Sequence, residues 1–200
     1  MANVDRPNGL RPVKHLNGAP YNGQVNMYLI PSSDSTAVFR GDLVKLAGGA
    51  GAAGTVVYGI DCEGIPTAIQ SAAGDTHVGV VVGFLANQSD LSTQYRVAST
   101  DRIALVADSK DLIFEIQEVS GGTPLTAAAV GLNANVVVGS GNTTTGTSGV
   151  ELDNSTEATT ADLDVQIMGL VKRVDNNYGE HAKWLVRIND HAYGEGVAGV

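Results

Sequence analysis

The sequence predicts an all-β protein, built as an antiparallel β-barrel or sandwich with an extended N-terminal arm and at most one or two short helices. Three observations lead to this prediction. Valine and threonine are abundant, and their β-branched side chains favour strands. Glycine, at 25 of 200 residues, joins asparagine, aspartate and serine in turn clusters that separate short apolar runs. Prolines are concentrated near the N-terminus, where they oppose helix formation.

Residues 1–21 are predicted to form the arm. Pro7, Pro12 and Pro20 lack a backbone donor, and each pushes its preceding residue towards an extended conformation. The arm carries Arg6, Arg11 and Lys14 against a single acidic residue, whereas residues 31–170 hold five basic and sixteen acidic residues. This asymmetry predicts that the arm meets an acidic surface. Two excess charges in some twenty residues are equally compatible with a segment that has no partner.

Residues 22–193 are predicted to form a β-rich body. Strands are predicted over residues 25–30, 38–46, 55–60, 65–69, 78–85, 95–99, 102–107, 112–119, 136–138, 165–174 and 183–189. The run 78–85 is almost entirely apolar, which is typical of a buried strand, and its two glycines indicate a bend or a close backbone approach. Residues 95–99 and 102–107 are predicted to pair as a hairpin across Thr100 and Asp101.

Three segments of the chain depart from the strand pattern. Residues 123–130 are the best helix candidate, with Thr126 as a possible N-cap. Residues 139–148 are rich in glycine, serine, threonine and asparagine, and residues 154–164 are acidic, so a mobile or projecting segment is predicted over about 139–164. The glycine-rich stretch 194–200 is predicted to be a flexible tail.

Composition argues against several classes of protein. The net charge of −9 and the pI near 4.7 oppose a nucleic-acid-binding surface, which would be basic. No stretch approaches 18 apolar residues, so no membrane-spanning helix is predicted. The first residues lack the apolar region of a signal peptide. Cys62 is the only cysteine, which excludes an intramolecular disulfide.

The one nucleotide-binding pattern in the chain is better explained as a turn. Residues 49–54, GAGAAG, fit G-x-G-x-x-G and follow a predicted strand. A dinucleotide site needs a helix next, because the pyrophosphate binds at a helix N-terminus. The residues that follow, TVVY, are typical of another strand. No cofactor is therefore predicted.

The histidines and acidic residues do not form a recognisable site in the sequence. The four histidines have no close ligand spacing, and the acidic stretch 151–164 lacks the EF-hand pattern, so no metal site is predicted. Asp75 with His77, and Asp190 with His191, resemble parts of a catalytic relay, but no serine has the context of a nucleophile. No catalytic residue is predicted. A β-barrel enzyme that uses His77 or His181 with an aspartate partner is kept as an alternative.

Two stretches resemble proteins of tailed-bacteriophage virions. Residues 8–16, NGLRPVKHL, resemble the opening of small structural proteins from virion gene clusters. Residues 40–46, RGDLVKL, are followed by a glycine-rich loop and by VGVVVGF at residues 78–84. This order is similar to that in head decoration (cement) proteins. The chain is longer than the compact decoration proteins, and residues 139–164 account for part of the extra length.

This resemblance implies a non-enzymatic virion protein on the outer capsid surface. Such a protein binds the major capsid protein, usually as a homotrimer, and cross-links coat subunits to stabilise the head. No nucleic acid or membrane partner is expected. The arm residues implied to contact the capsid are Arg6, Pro7, Leu10, Arg11, Pro12, Val13, Lys14 and His15. The alternative is a fibre, collar or receptor-binding virion component, in which residues 139–164 carry recognition.

Overall fold

A computed structural model describes residues 3–194 of the chain. These residues are all-β, as the sequence predicts, and their only helix is a 3₁₀ turn, Ala127–Ala129. The strands are β1 (Arg11–His15), β2 (Asn26–Ile30), β3 (Leu43–Ala50), β4 (Val56–Val57), β5 (Ile60–Asp61), β6 (Pro66–Gln70), β7 (Gly79–Phe84), β8 (Arg102–Ala107), β9 (Leu112–Gln117), β10 (Asn133–Ala134), β11 (Val136–Asn142), β12 (Thr147–Leu152), β13 (Val165–Leu170) and β14 (Lys183–Ile188). Most of the predicted strands are confirmed to within a few residues. Most of the predicted tail, residues 195–200, lies outside the described residues.

Five strands form a closed barrel in the order β2-β6-β3-β7-β8. Its pairings are antiparallel except for a parallel contact between β2 and β6. Tyr28 and Ile30 of β2, and Ala104 and Val106 of β8, face the interior because residues two apart in a strand share a face. The intervening Leu29 packs instead against Val57 and Cys62, so the small β4–β5 hairpin covers one outer side of the barrel.

A second sheet has the order β1-β9-β14-β13-β10, and its neighbours are antiparallel. Trp184 lies at its centre, fully buried, and its indole N–H donates to Oε2 of the buried Glu118 at 2.6 Å. The hairpin β11–β12 packs on this sheet through Val150 and Leu152. Leu43 of the barrel belongs to the same apolar cluster, so this cluster extends from the sheet to one side of the barrel, whereas the barrel interior forms a cluster of its own.

Residues 139–148, predicted as part of a mobile or projecting segment, lie within the hairpin β11–β12 and its turn. Gly139 and Gly149 face each other so closely that a Cβ on Gly139 would lie 2.3 Å from the carbonyl oxygen of Gly149. Glycine therefore serves close packing here rather than flexibility. The acidic stretch 154–164 does not project freely either. Asp164 is buried and accepts backbone hydrogen bonds from Gly74 and Val136, both at 2.8 Å.

The predicted hairpin of residues 95–99 with 102–107 is wrong. β8 pairs with β2 and β7, and residues 95–99 form an irregular loop. Arg96 explains the loop, because its fully buried guanidinium donates to the carbonyl oxygens of Pro31, Asp34, Thr36 and Thr100. The backbone of Arg96 pairs only with Val38, in an isolated antiparallel bridge, while its side chain satisfies four loop carbonyls.

The predicted helix is reduced to the 3₁₀ turn. Thr126 acts as its N-cap, since Oγ1 accepts a hydrogen bond from the amide of Ala128 at 3.3 Å. The cap is confirmed, and the segment is too short to propagate an α-helix. Across residues 3–194, no helix has the length and apolar character needed to cross a bilayer.

Candidate interaction surface

The N-terminal segment, residues 3–10, lies against the body. The side-chain amide of Asn3 donates to the carbonyl oxygens of Asn177 at 2.8 Å and Glu180 at 2.9 Å, and its Oδ1 accepts from the amide of Asn177. The backbone amide of Arg6 donates to Oε1 of Gln117 at 2.9 Å. These bonds attach the segment to the loop before β14 and to the end of β9.

Residues 10–15 are part of the body and not of a separate arm. Leu10 is 1% exposed and belongs to the main core. β1 pairs with β9, and its outer edge is covered in part, since the amide of Tyr21 donates to the carbonyl oxygen of Val13 at 3.0 Å. β1 is extended, as predicted for this stretch, but many of its backbone hydrogen-bonding groups are already paired within the chain.

The predicted capsid-contact residues divide by exposure. Arg6, Arg11 and Val13 are exposed; Pro7, Pro12, Lys14 and His15 are half-buried; Leu10 is buried. The adjoining Val4 and Leu16 are also exposed, at 64% and 47%. The surface offered to solvent is therefore both cationic and apolar, whereas Leu10 is unavailable to a partner.

Four cations share this end of the molecule and form what we term the cationic cluster: Arg6, Arg11, Arg173 and Lys183. Arg6, Arg173 and Lys183 line a cavity of about 180 Å³ together with Asn3. Burial lowers the pKa of Lys183, Glu115 opposes this effect, and the positive charges of Arg173, Arg11 and Arg6 lower the pKa further. Arg173 is partly neutralised by Glu115 at 3.2 Å and by Asp175 at 3.6 Å, and Asp175 also lines the cavity. The cluster brings four cations together on a molecule of net charge −9.

A second hollow, of about 460 Å³, adjoins the cluster between the sheet and the barrel. Arg11 and Tyr21 line one side, and Arg40 and Val82 line the other. Arg40 is held by a 2.7 Å hydrogen bond to the carbonyl oxygen of Thr145 in the β11–β12 turn. The cationic character therefore continues from the N-terminal segment into the groove.

Sequence reasoning missed Arg173 and Lys183. Both lie more than 160 positions from Arg6, and only the order β1-β9-β14-β13 brings them near it. The sequence did predict strands at 165–174 and 183–189, but strand order follows from long-range pairing that local patterns do not encode. No local signal could have identified these two residues.

His77, one histidine of the enzyme hypothesis, lies beside a serine and an aspartate, as in a catalytic relay, but all three residues are buried. Nδ1 of His77 lies 2.8 Å from Oγ of Ser71. Its Nε2 lies 3.1 Å from Oδ1 of Asp164 but without the alignment of a hydrogen bond. The three residues are 0–2% exposed, so a substrate does not reach them in this structure. The arrangement links the β6–β7 connection to the start of β13 and can act as a polar cross-link.

The other histidine of that hypothesis, His181, lies beside the N-terminal segment. Its Nδ1 is 3.5 Å from Oδ1 of Asp5 and 3.4 Å from the side-chain nitrogen of Gln117. His181 has a backbone φ of +59°, in a region that non-glycine residues rarely adopt. The aspartate partner predicted for it is present, on a partly exposed surface.

Comparison with known proteins adds no relative to this description. No protein-family model matches the chain, and neither a curated protein nor a solved structure matches it.

Proposed function

We propose that this protein is a structural component of a tailed-bacteriophage virion, which binds the outer capsid surface and cross-links subunits of the major capsid protein. The observation that carries the proposal is the cationic cluster with its exposed apolar neighbours, on a body that is otherwise acidic. Complementary charge steers a protein to its partner and fixes its orientation there. The resemblance of residues 8–16 and 40–46 to decoration proteins supplies the class of partner.

The proposed contact surface differs from a free arm. Arg6, Arg11, Val13 and Leu16 provide the exposed charge and apolar area, and Arg173 and Lys183 extend it. The chain has few aromatic residues, at 5%, which favours many modest contacts over one dominant anchor. A homotrimer would present three such surfaces, and avidity would then hold the protein on the lattice, because each later contact is effectively intramolecular.

The first experiment is sedimentation of native particles from the source, with quantification of this protein relative to the major coat protein. A copy number comparable to that of the coat protein supports the proposal. Absence from purified particles contradicts it.

The second experiment tests the surface itself. Particles that lack the protein are mixed with purified wild type or with the double variant Arg6→Glu/Arg11→Glu, and bound protein is measured after sedimentation. Both arginines are exposed, so the variant folds, and we expect its affinity for the particles to fall more than tenfold.

The control is Lys45→Gln, which removes a charge from the barrel, where Lys45 pairs with the half-buried Asp75 at 2.7 Å, without setting a second carboxylate against Asp75. It should bind within about twofold of wild type, because Lys45 lies outside the cationic cluster. Equal binding by the double variant and the control would show that the cationic cluster is not the contact surface.

A fibre, collar or receptor-binding component is the second candidate, and a separate hollow of about 610 Å³ favours it. Tyr28, Tyr193, Asn26 and Asp108 line this hollow, and the first two hydroxyls lie 3.1 Å apart. Aromatic rings beside amide and carboxylate groups suit recognition of a polar ligand. A copy number of only a few per particle would favour this candidate over decoration.

A further inference from the structure

Two carboxylates and an imidazole from distant parts of the chain converge beside the N-terminal segment. Asp5 belongs to that segment, Glu151 to β12, and His181 to the loop before β14. One potential ligand atom from each lies within 4.8 Å of the other two. We propose that these three side chains bind a divalent transition-metal ion of the Zn²⁺ type, and that the ion fastens the N-terminal segment to the body.

The three ligand atoms lie close enough to share one ion once the Gln117 amide, which lies between them, is displaced. For three atoms separated by at most 4.8 Å, a point exists within about 2.8 Å of each. Protein ligands bind Zn²⁺ at about 2.0–2.2 Å through nitrogen or carboxylate oxygen, so movements of less than about 1 Å would complete the contacts. Asp5 is the most readily adjusted of the three, because its side chain is 63% exposed. Three protein ligands leave a position for water, which is a common arrangement for this ion.

The electrostatics favour a cation. Among the described residues, no lysine or arginine forms an ion pair with Asp5 or Glu151. Glu151 is half-buried, and burial raises its pKa. The hydrogen bond from Gln117 opposes this rise, the negative charge of Asp5 adds to it, and His181 opposes it. Two facing carboxylates without a cation repel each other, and a divalent ion would reverse the sign of that interaction.

Gln117 marks the position that the ion would take. Its Nε2 lies 2.9 Å from Oδ1 of Asp5, 2.9 Å from Oε1 of Glu151 and 3.4 Å from Nδ1 of His181. In the metal-free structure the orientation of this amide is set by Oε1, which accepts the backbone N–H of Arg6. When Nδ1 of His181 is unprotonated, the two N–H groups of the amide face three acceptors, so one acceptor receives no proton from it. A metal ion that displaced the amide would contact all three ligand atoms, and the hydrogen bond between Gln117 and Arg6 would be lost.

The ligand set also selects the class of metal. Carboxylate oxygens alone would suit Ca²⁺ or Mg²⁺, whereas an imidazole ligand favours Zn²⁺ and other transition ions. For Nδ1 of His181 to ligate, the ring proton must lie on Nε2. The site therefore predicts that Zn²⁺ binds more tightly than Ca²⁺. This inference is independent of capsid binding, and its test uses the isolated protein.

The test is calorimetric titration of the full-length, chelator-treated protein with Zn²⁺, with Ca²⁺ as the comparison ion. We expect one Zn²⁺ per chain, a rise in the thermal midpoint, and binding of Ca²⁺ at least tenfold weaker. Asp5→Asn and His181→Gln should each weaken Zn²⁺ binding at least tenfold. Glu157→Gln removes an exposed carboxylate from the segment that follows β12 and is the matched control, which should bind like wild type.

A further variant distinguishes a metal-binding site from a group of side chains that only stabilises the fold. Gln117→Glu keeps an oxygen for the N–H of Arg6 and replaces the amide nitrogen with a third carboxylate oxygen. Without metal, its thermal midpoint should fall through repulsion; with Zn²⁺, its affinity should exceed that of wild type. Wild-type protein that does not bind Zn²⁺, or binding unchanged in both Asp5→Asn and His181→Gln, would overturn the proposal.

Discussion

At the scale of single residues, the buried His191 couples the stability of this fold to pH. His191 is 2% exposed, and its Nδ1 accepts the backbone N–H of Tyr193 at 3.0 Å. Burial lowers the pKa of His191; Asp108 opposes this effect, and the charges of His77 and Lys110 add to it. The folded state therefore binds a proton at His191 less readily than the unfolded chain does.

The sign of the pH dependence follows from that lowered pKa. The contribution of His191 to stability is fully present above its pKa in the unfolded chain, near 6.5. It is lost as the pH falls through the lower pKa that His191 has in the folded state. We expect the free energy of unfolding to fall more between pH 7 and pH 5 in wild type than in His191→Asn, by up to about 1.4 kcal/mol for each unit of pKa shift. Denaturant titrations at both pH values measure this difference, and parallel pH profiles would contradict it.

At the scale of elements, β1 attaches the N-terminal part of the chain to the body through its pairing with β9. Leu10 enters the core directly before this strand, and Gly9 lies so close to Gly41 that a Cβ would be 2.3 Å from its carbonyl oxygen. We expect Leu10→Ala to lower the free energy of unfolding by about 2–5 kcal/mol, because it removes buried methyl groups and leaves a cavity. The measurement is a denaturant midpoint at constant slope.

The control for Leu10→Ala is Val13→Ala. Val13 lies three residues further along the chain, in β1, and is 40% exposed. This change should stay within about 0.5 kcal/mol of wild type. Similar losses for the two variants would mean that Leu10 is not a core residue. For the same reason, truncation of residues 1–20 is a poor test of capsid binding, since it removes an edge strand and a core side chain together.

The elements also show how far the sequence could predict this fold. Apolar β-branched runs such as residues 78–85 and 102–107 are strands because their side chains suit a pleated, buried surface. Residues 139–148 misled the prediction, because glycine can serve either flexibility or the close approach seen between Gly139 and Gly149. Arg96 misled it as well, since three of its four carbonyl partners, on Pro31, Asp34 and Thr36, are about 60 residues away in the sequence.

The candidate site was predictable only in its N-terminal part. The charge asymmetry between the first residues and the following body identified Arg6 and Arg11. Arg173, Lys183 and His181 join them through the order of strands in the second sheet, which no local pattern encodes. Glu151 and His181 were each considered separately in the sequence, but nothing there indicated that they meet.

At the scale of the whole molecule, the acidic body and the cationic cluster lead us to expect that added salt changes stability and binding affinity in opposite directions. A net charge of −9 repels itself within the compact state, whereas the cationic cluster would attract the acidic partner that we propose. Raising NaCl from about 0.1 M to about 1 M shortens the Debye length from about 10 Å to about 3 Å and weakens both interactions. Screening therefore maintains or raises the stability of the isolated protein while it lowers the affinity for its partner.

We therefore expect the thermal midpoint to stay constant or rise across this range of salt, while occupancy on particles falls. The measurement pairs thermal unfolding with sedimentation of particles in the same buffers. Arg6→Glu/Arg11→Glu should show a shallower loss of occupancy with salt, because fewer attractive charges remain to be screened. If occupancy rose with salt while the midpoint also rose, apolar contacts at Val4, Val13 and Leu16 would dominate binding, and the cationic cluster would have a different role.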